Sequence, residues 1–364
     1  NMTLFETIAI ILCLAAMASY INHAYMHLPA TIGLMVISLV LSLVLIGLAE
    51  TGLIHVGTVS YFVNRIDFNK LLLHGILAFF LFAGAMHVNL AELNRQKWPV
   101  MVMATLGVFF ATFITGGLFW GAGQLLNLKI PLLHALLFGA LIAPTDPISV
   151  LGIMKKMNTP KSLEVVITAE SLFNDGVGIV VFLTLLSMVM SPRQPTVSGV
   201  SLFLLKEAVG GMALGYVMGK GVFLLLRKVN DYQVEILFTL ALASGGYVLA
   251  ELLHMSAPIA IVVAGLVMGN RGQVQGVESV SIQRLDLFWE LVDDILNAVL
   301  FMLVGLEVIA LSPELVFLAL GLMSIVVVLI GRWMSIVLSV GLVRIRHPFS
   351  KGEITVMTWA GLRG

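Results

Sequence analysis

The stretch that decides the fold runs from Leu141 to Phe182 and reads LIAPTDPISVLGIMKKMNTPKSLEVVITAESLFNDGVGIVVF. Two apolar segments meet in it, and both carry acidic groups where a membrane segment normally carries none. The first holds Asp146 between Pro144 and Pro147; the second holds Glu170, Ser171, Asn174 and Asp175. An ionisable side chain at membrane depth costs on the order of a few kcal/mol, so each is a candidate functional group. Pro144 removes a backbone donor, and Pro147 disfavours helical geometry at Asp146. The first segment therefore reads as a broken helix. Unwound backbone at membrane depth is tolerated where it is buried in protein or lines a cavity, and its carbonyls become available to an ion.

Composition agrees with a membrane setting. The 364 residues are 59% hydrophobic and only 11% charged, with a mean hydropathy of +1.05, against roughly 25% charged residues in ordinary globular domains. Repeated apolar runs near the length of a bilayer span indicate an all-α polytopic membrane protein. The formal net charge of zero gives no electrostatic footprint for nucleic acid. The one cysteine, Cys13, excludes an intrachain disulfide and any cysteine-based metal cluster. The first apolar run lacks a basic leader and reads as a retained span, not a cleaved signal.

Apolar runs bounded by charge, Gly or Pro place spans near 4–21, 29–48, 68–88, 99–126, 131–153, 162–190, 200–228, 232–254, 257–270, 287–310 and 314–343, and a twelfth begins near 350. Lys and Arg in short loops favour the cytoplasmic side. With the N-terminus outside, inner loops hold Arg95, Lys97, Lys155, Lys156, Lys161, Arg227, Lys228, Arg271, Arg284, Arg344, Arg346 and Lys351. Outer loops then hold only Arg65, Lys70, Lys129, Arg193 and Lys206. The bias predicts an outside N-terminus. Spans five and six, a broken helix and a charged one, have an expected counterpart at the end of the chain, where Arg332 precedes Gly361-Leu-Arg-Gly364. With span seven as a linker, spans one to six and eight onward form an inverted repeat. The sequence then stops inside the second broken helix, short of a thirteenth span.

PTDP at 144–147, ESLFNDG at 170–176, Gly331-Arg332 and GLRG at 361–364 occur in order in successive spans. This combination resembles the NhaP-type sodium/proton antiporters of the monovalent cation/proton antiporter superfamily, relatives of the eukaryotic sodium/hydrogen exchangers. The resemblance covers essentially the whole chain. It implies an inverted-repeat antiporter fold with two broken, crossing helices and about 13 spans in full, the last having no counterpart here. It implies a homodimer in a bacterial inner membrane, the plasma membrane of the cell, in which a core domain moves like an elevator against a dimerisation domain. On this chain the dimerisation domain takes 1–98 and 231–311, the core takes 99–190 and 312–364, and 191–230 is the linker helix. The partners are monovalent cations, protons and the lipid bilayer, with no cofactor. The Asn174-Asp175 pair, in place of two aspartates, implies electroneutral exchange. His87 lies near where some relatives carry an acidic residue, a departure that puts a ligand from that span in doubt.

Residue by residue, Ser171 and Asp175 share one face of a helix, and Glu170 and Asn174 share the adjoining one. Asp175 is the expected carrier of either a sodium ion or a proton, since desolvation disfavours its bare charge. Ser171 and a carbonyl or hydroxyl at Thr145 supply neutral hard oxygens, and Asp146 ligates directly or through water. Arg332 is always charged and must have an acidic partner in an apolar span. Glu170 is the candidate, and the resemblance implies the same pairing. Asn174 is expected to bridge to the break near Thr145 and Asp146, and Arg363 to counter carbonyl ends where the two breaks cross.

The remaining polar groups are weaker candidates. Glu6, Glu50, Glu207, Glu251 and Glu307 lie near span ends, where solvation is cheap. Asp293 and Asp294 suit a helix N-terminus or a cation-attracting funnel. The histidines lack metal spacing, though His87 is a candidate modulator of pH response. No HExxH, GxSxG, Walker loop or dinucleotide fingerprint occurs in a suitable context, so a transporter is expected and not an enzyme. A potassium/proton or mixed-cation exchanger of the same fold is the alternative, and a cation channel lined by Asp146 and Asp175 is a further one.

Overall fold

The computed structural model describes residues 4–51, 76–145, 154, 161–190, 197–227, 229, 231–270, 279–308, 315–343 and 351–361. Among them the fold is all-helical. In chain order the helices are α1 (Leu4–Ile21), α2 (Ala30–Glu50), α3 (Leu77–Met86), α4 (Leu90–Arg95), α5 (Lys97–Leu125), α6 (Leu132–Ile142), α7 (Lys161–Met190), α8 (Val197–Leu226), α9 (Tyr232–Leu252), α10 (Ala257–Gly269), α11 (Ser279–Glu307), α12 (Leu315–Val343) and α13 (Lys351–Ala360). Seven of the described helices are long and apolar enough to cross a bilayer: α1, α2, α5, α7, α8, α9 and α12. The chain is an integral membrane protein.

Among the shorter described helices, two end at the breaks marked in the sequence. Helix α6, with 11 residues, and α13, with 10, each rise about 15–16 Å. That is half the ~30 Å hydrocarbon core. Helix α6 ends at the Ala143–Thr145 turn and α13 at Gly361, so each stops at one of the two sequence breaks. The first stop follows from Pro144. Helix α10 is also short, at 13 residues.

Other boundaries differ from the hydropathy reading. The helix expected from 287 begins at Ser279, because a helix need not end where its apolar run ends. Its early turns carry Gln283, Arg284 and Asp286, and the Arg284 guanidinium lies 5.0 Å from the Tyr232 ring centre. A short helix that hydropathy does not mark, α4, follows α3. Asn89 caps it by accepting from the Ala91 and Glu92 amides at 2.9 and 3.3 Å.

The chain divides into two compact units. The first comprises 1–80 and 290–318. Its α1–α2 hairpin turns through a wide π-type segment, Asn22–Met26, closed by His27 at φ 54°. Asn22 exchanges side-chain hydrogen bonds with the Leu28 backbone at 3.0 and 3.3 Å. Gly33 leaves the space for that side chain, since a Cβ there would fall 2.2 Å from it. Ala15, Ala18, Leu34, Met302 and Leu306 form the core of this unit. Ser42 donates to the Gly305 carbonyl at 2.8 Å.

The second unit comprises 81–289 and 319–363, and it holds the stretch read first. Lipid tails are as apolar as the side chains, so helices in a bilayer associate through close packing and polar bonds. Both devices operate here. A Cβ at Gly139 of α6 would lie 2.3 Å from the Thr112 carbonyl of α5, and one at Gly116 would lie 2.9 Å from the Ala135 carbonyl. Helices α5 and α6 therefore touch backbone to backbone. Helix α10 packs against α8 and α9. Its C-cap Asn270 donates to the Val88 carbonyl at 2.8 Å and accepts from the Leu90 amide at 2.7 Å, fixing the α3–α4 turn.

Candidate functional site

The site is built by α7 against the break that ends α6. At Gly178 of α7 a Cβ would fall 2.3 Å from Pro144 Cγ, so the missing side chain makes the socket that receives the proline ring. Thr145, only 4% exposed, then lies alongside α7 with its backbone polar groups freed from the helix. Buried backbone groups must find partners, and α7 supplies them. Ser171 donates its hydroxyl proton to the Thr145 carbonyl. Asn174 accepts from the Thr145 amide at 3.3 Å and donates to Thr145 Oγ1 at 2.9 Å. Both α7 faces marked in the sequence therefore engage the same broken residue.

Asn174 is fully buried and also donates to Glu170 Oε1 at 3.0 Å. Both of its amide protons are engaged and its carbonyl accepts from Thr145, so it clamps the break to Glu170. Glu170 in turn holds Arg332 of α12: Nη1 and Nη2 donate to Oε1 at 3.3 and 3.4 Å, and Nη2 to Oε2 at 3.5 Å. Both partners are buried. A buried charge without a partner is costly, and each of these two compensates the other. The carboxylate of Glu170 is thereby neutralised and fully occupied.

Asp175 stands one residue past the clamp and is half-buried. It is the second carboxylate on this stretch of α7, five residues beyond Glu170. Ser171, one turn away, has given its proton to a carbonyl, which leaves its oxygen lone pairs for a cation. A carboxylate, a hydroxyl oxygen and a carbonyl are hard donors of the kind alkali cations take. Among the described residues no group of three or more His, Cys, Asp or Glu could hold a metal ion. The structure thus brings together Thr145, Glu170, Ser171, Asn174 and Arg332, with Asp175 adjoining. Asp146 and Arg363 lie outside the described residues.

A cavity of about 250 Å³ opens on the same side of α7, lined by Glu164, Val165 and Thr168 together with His87, Val88, Asn89 and Glu92. Positions 164, 168, 171 and 175 repeat at helical spacing along one face, so this polar hollow is in register with Ser171 and Asp175. His87, exposed at its rim, hydrogen-bonds the Ala83 carbonyl through Nδ1 at 2.8 Å. A larger cavity of about 460 Å³, in the α1–α2 hairpin, is lined by Ser19, Asn22, His23, His27, Leu28, Ala30 and Leu34. It carries no carboxylate and does not suit a cation.

The transmembrane sodium/hydrogen exchanger family matches residues 8–364. The chain belongs to that family. It is 41% identical to the Na(+)/H(+) antiporter NhaP of Pseudomonas aeruginosa, over 99% of this chain and 86% of that protein. It is 33% identical to the Na(+)/H(+) antiporter NhaH of Halobacillus dabanensis, over 98% of this chain and 86% of that one. In fold it is similar to the sodium proton antiporter MjNhaP1 of Methanocaldococcus jannaschii, with a TM-score of 0.75 over 99% of this chain and 85% of that one at 19% identity. The antiporter fold is thus shown.

In this exchanger-family chain, the sequence marks Gly331 and Gly361 as parts of motifs and does not single out Gly178, and for none of the three does it show what the glycine seats. Gly178 receives Pro144, and Gly331, beside Arg332, lies where a Cβ would meet Thr115 Oγ1 at 2.2 Å. Gly361 does the same for the Arg332 side chain, with a Cβ position 2.1 Å from Nε. The available signal was a glycine inside a helical run with no turn to explain it, which marks a close approach without saying to what.

Proposed function

We propose that the chain exchanges sodium ions for protons across the membrane, with Asp175 binding either one and Ser171, Thr145 and Asp146 completing the sodium site. The observation that carries this reading is the clamp. Asn174 and Ser171 hold the unwound Thr145 against α7 and Arg332 neutralises Glu170, and this reading assigns the exchangeable charge to Asp175, which lies on the same α7 face as Ser171, one turn away. Competition of cation and proton for one carboxylate is sufficient for coupling. The antiporter names of relatives at 33–41% identity support the choice of sodium.

The remaining features follow from the same reading. Exchange is electroneutral, because one carboxylate trades one cation for one proton. Residues 99–190 and 312–364 form the moving core, 1–98 and 231–311 form the dimerisation domain of a homodimer, and 191–230 links them. The N-terminus faces outward from a bacterial inner membrane, and Arg363 balances carbonyl ends at the second break. The protein works as a transporter without a resident cofactor and not as an enzyme.

The test is proton flux in proteoliposomes under an imposed pH gradient, with sodium, lithium or potassium added in turn, for wild type and Asp175→Asn. The expected result is sodium- or lithium-driven flux that is indifferent to membrane potential and absent from the variant. Flux driven by potassium alone keeps the mechanism and changes the substrate. Cation current without proton coupling, or unaltered flux in Asp175→Asn, overturns the reading in favour of a channel or a different site.

A further inference from the structure

We infer that Gly361 is a positioning residue for the exchange site: its missing side chain is the socket that holds the Arg332 guanidinium against Glu170. The inference rests on the reading of the site given above. A Cβ at Gly361 would lie 2.1 Å from Arg332 Nε and 2.5 Å from both Cζ and Nη2. A side-chain tip can usually move aside for such an intrusion. This one cannot do so freely, because Nη1 and Nη2 are both bonded to Glu170. Moving the guanidinium away from residue 361 pulls on the acceptor that also holds Asn174, and Asn174 holds Thr145.

Two further observations separate this role from the ordinary reasons for a glycine. Gly361 does not adopt the left-handed backbone conformation that excludes other residues, so its φ alone does not require glycine. Arg332 Nε is buried and makes no hydrogen bond among the described residues, so among them the guanidinium edge at Gly361 is met by shape. The backbone at the end of α13 thus bears directly on the charge compensation of α7. The second helix break reaches the first through one arginine.

The experiment is a double-mutant cycle between positions 361 and 332, read as sodium-driven proton flux per folded protein and as melting temperature in detergent. Gly361→Ala alone is expected to cut flux on the order of 100-fold, as small misplacements of a site do, and to lower the melting temperature. Arg332→Lys keeps the charge on a slimmer, non-planar head and is expected to retain measurable flux. In that background Gly361→Ala should cost at most a few-fold, the non-additivity expected of residues in contact. Equal losses in both backgrounds would show that Gly361 serves the helix end and not Arg332, and wild-type flux in Gly361→Ala would remove the role altogether. The melting-temperature cycle reads the contact without transport. Coupling there with no sodium-driven flux in the wild type sinks the exchange reading and leaves the socket standing.

Discussion

Helices α7 and α8 are each 30 residues long and both bind a neighbour tightly, but by opposite means. Helix α7 reaches across with polar side chains: Ser171 and Asn174 to Thr145, and Glu170 to Arg332. Helix α8 brings its neighbour in by having no side chains. Gly211, Gly215 and Gly219 recur every four residues, and a Cβ would fall 2.6 Å from the Ser256 carbonyl and 2.1 Å from the Ala260 carbonyl at the first two. At the third it would fall 3.1 Å from Ala264 Cα. Such small-residue stripes allow backbone approach within a bilayer and carry no exchangeable charge. The contrast separates scaffold from site. Perturbing α8 should change how much protein folds, and perturbing α7 should change what the folded protein does.

The largest effect that could break this division is expected at Glu170 and Arg332. Glu170→Ala leaves Arg332 buried without its carboxylate and should cost about 3–5 kcal/mol of stability, while the pair replaced together, Glu170→Leu with Arg332→Met, should recover most of it. Melting curves in detergent read the first part and sodium-driven flux reads the second. Stability is expected to return in the double variant and flux is not, since Asn174 loses the acceptor that orients it toward Thr145. Full transport in the double variant would make the ion pair a scaffold feature like the α8 stripe.

A middle-sized effect is expected from Gly215→Leu. Overpacking a close contact typically costs about 1–3 kcal/mol, and here the obstacle is the Ala260 backbone, which cannot rotate away. The yield and melting temperature should fall, while flux per folded molecule and the sodium concentration giving half-maximal flux stay near wild type. A changed sodium dependence would show that α8 shapes the site through α10.

The same contrast explains how far the sequence could be read. Charged and proline residues announce themselves in an apolar run, because each needs a specific remedy. Pro144 ends a helix wherever it stands, and Arg332 demands a carboxylate, for which Glu170 of the second marked helix is the candidate the sequence offers. The break, the clamp and the ion pair were therefore legible in local pattern plus charge balance. Glycine sockets were not, because what enters the space at Gly178 or Gly361 is set by segments distant in sequence. The start of α11 at Ser279 was hidden for a different reason: hydropathy marks where a helix meets lipid and not where its hydrogen bonds begin. The turn at Asn22–Met26 depends on one asparagine bonding the Leu28 backbone, a contact with no periodic signature.

The smallest effect sharpens the comparison most cleanly. Ser256 caps α10 by accepting from the Ile259 amide at 3.4 Å, and its own carbonyl lies against Gly211 of α8. The cap therefore sits at the first contact of the glycine stripe, in the second unit with α7, but with no bond to Thr145 or Glu170. Ser256→Ala removes a capping oxygen, a loss typically worth about 1 kcal/mol, from a residue that is buried and cannot turn to water instead. The melting temperature should drop slightly, and proton flux should keep its wild-type response to sodium. A shift in that response from so small a change, with no charge moved, would mean that the position of α10 is read out at Asp175. Gly176, beside Asp175, gives that outcome a physical route, since a Cβ there would lie 3.2 Å from the Ile259 side chain. An unchanged sodium response would place the boundary between scaffold and site at the Gly176–Ile259 contact.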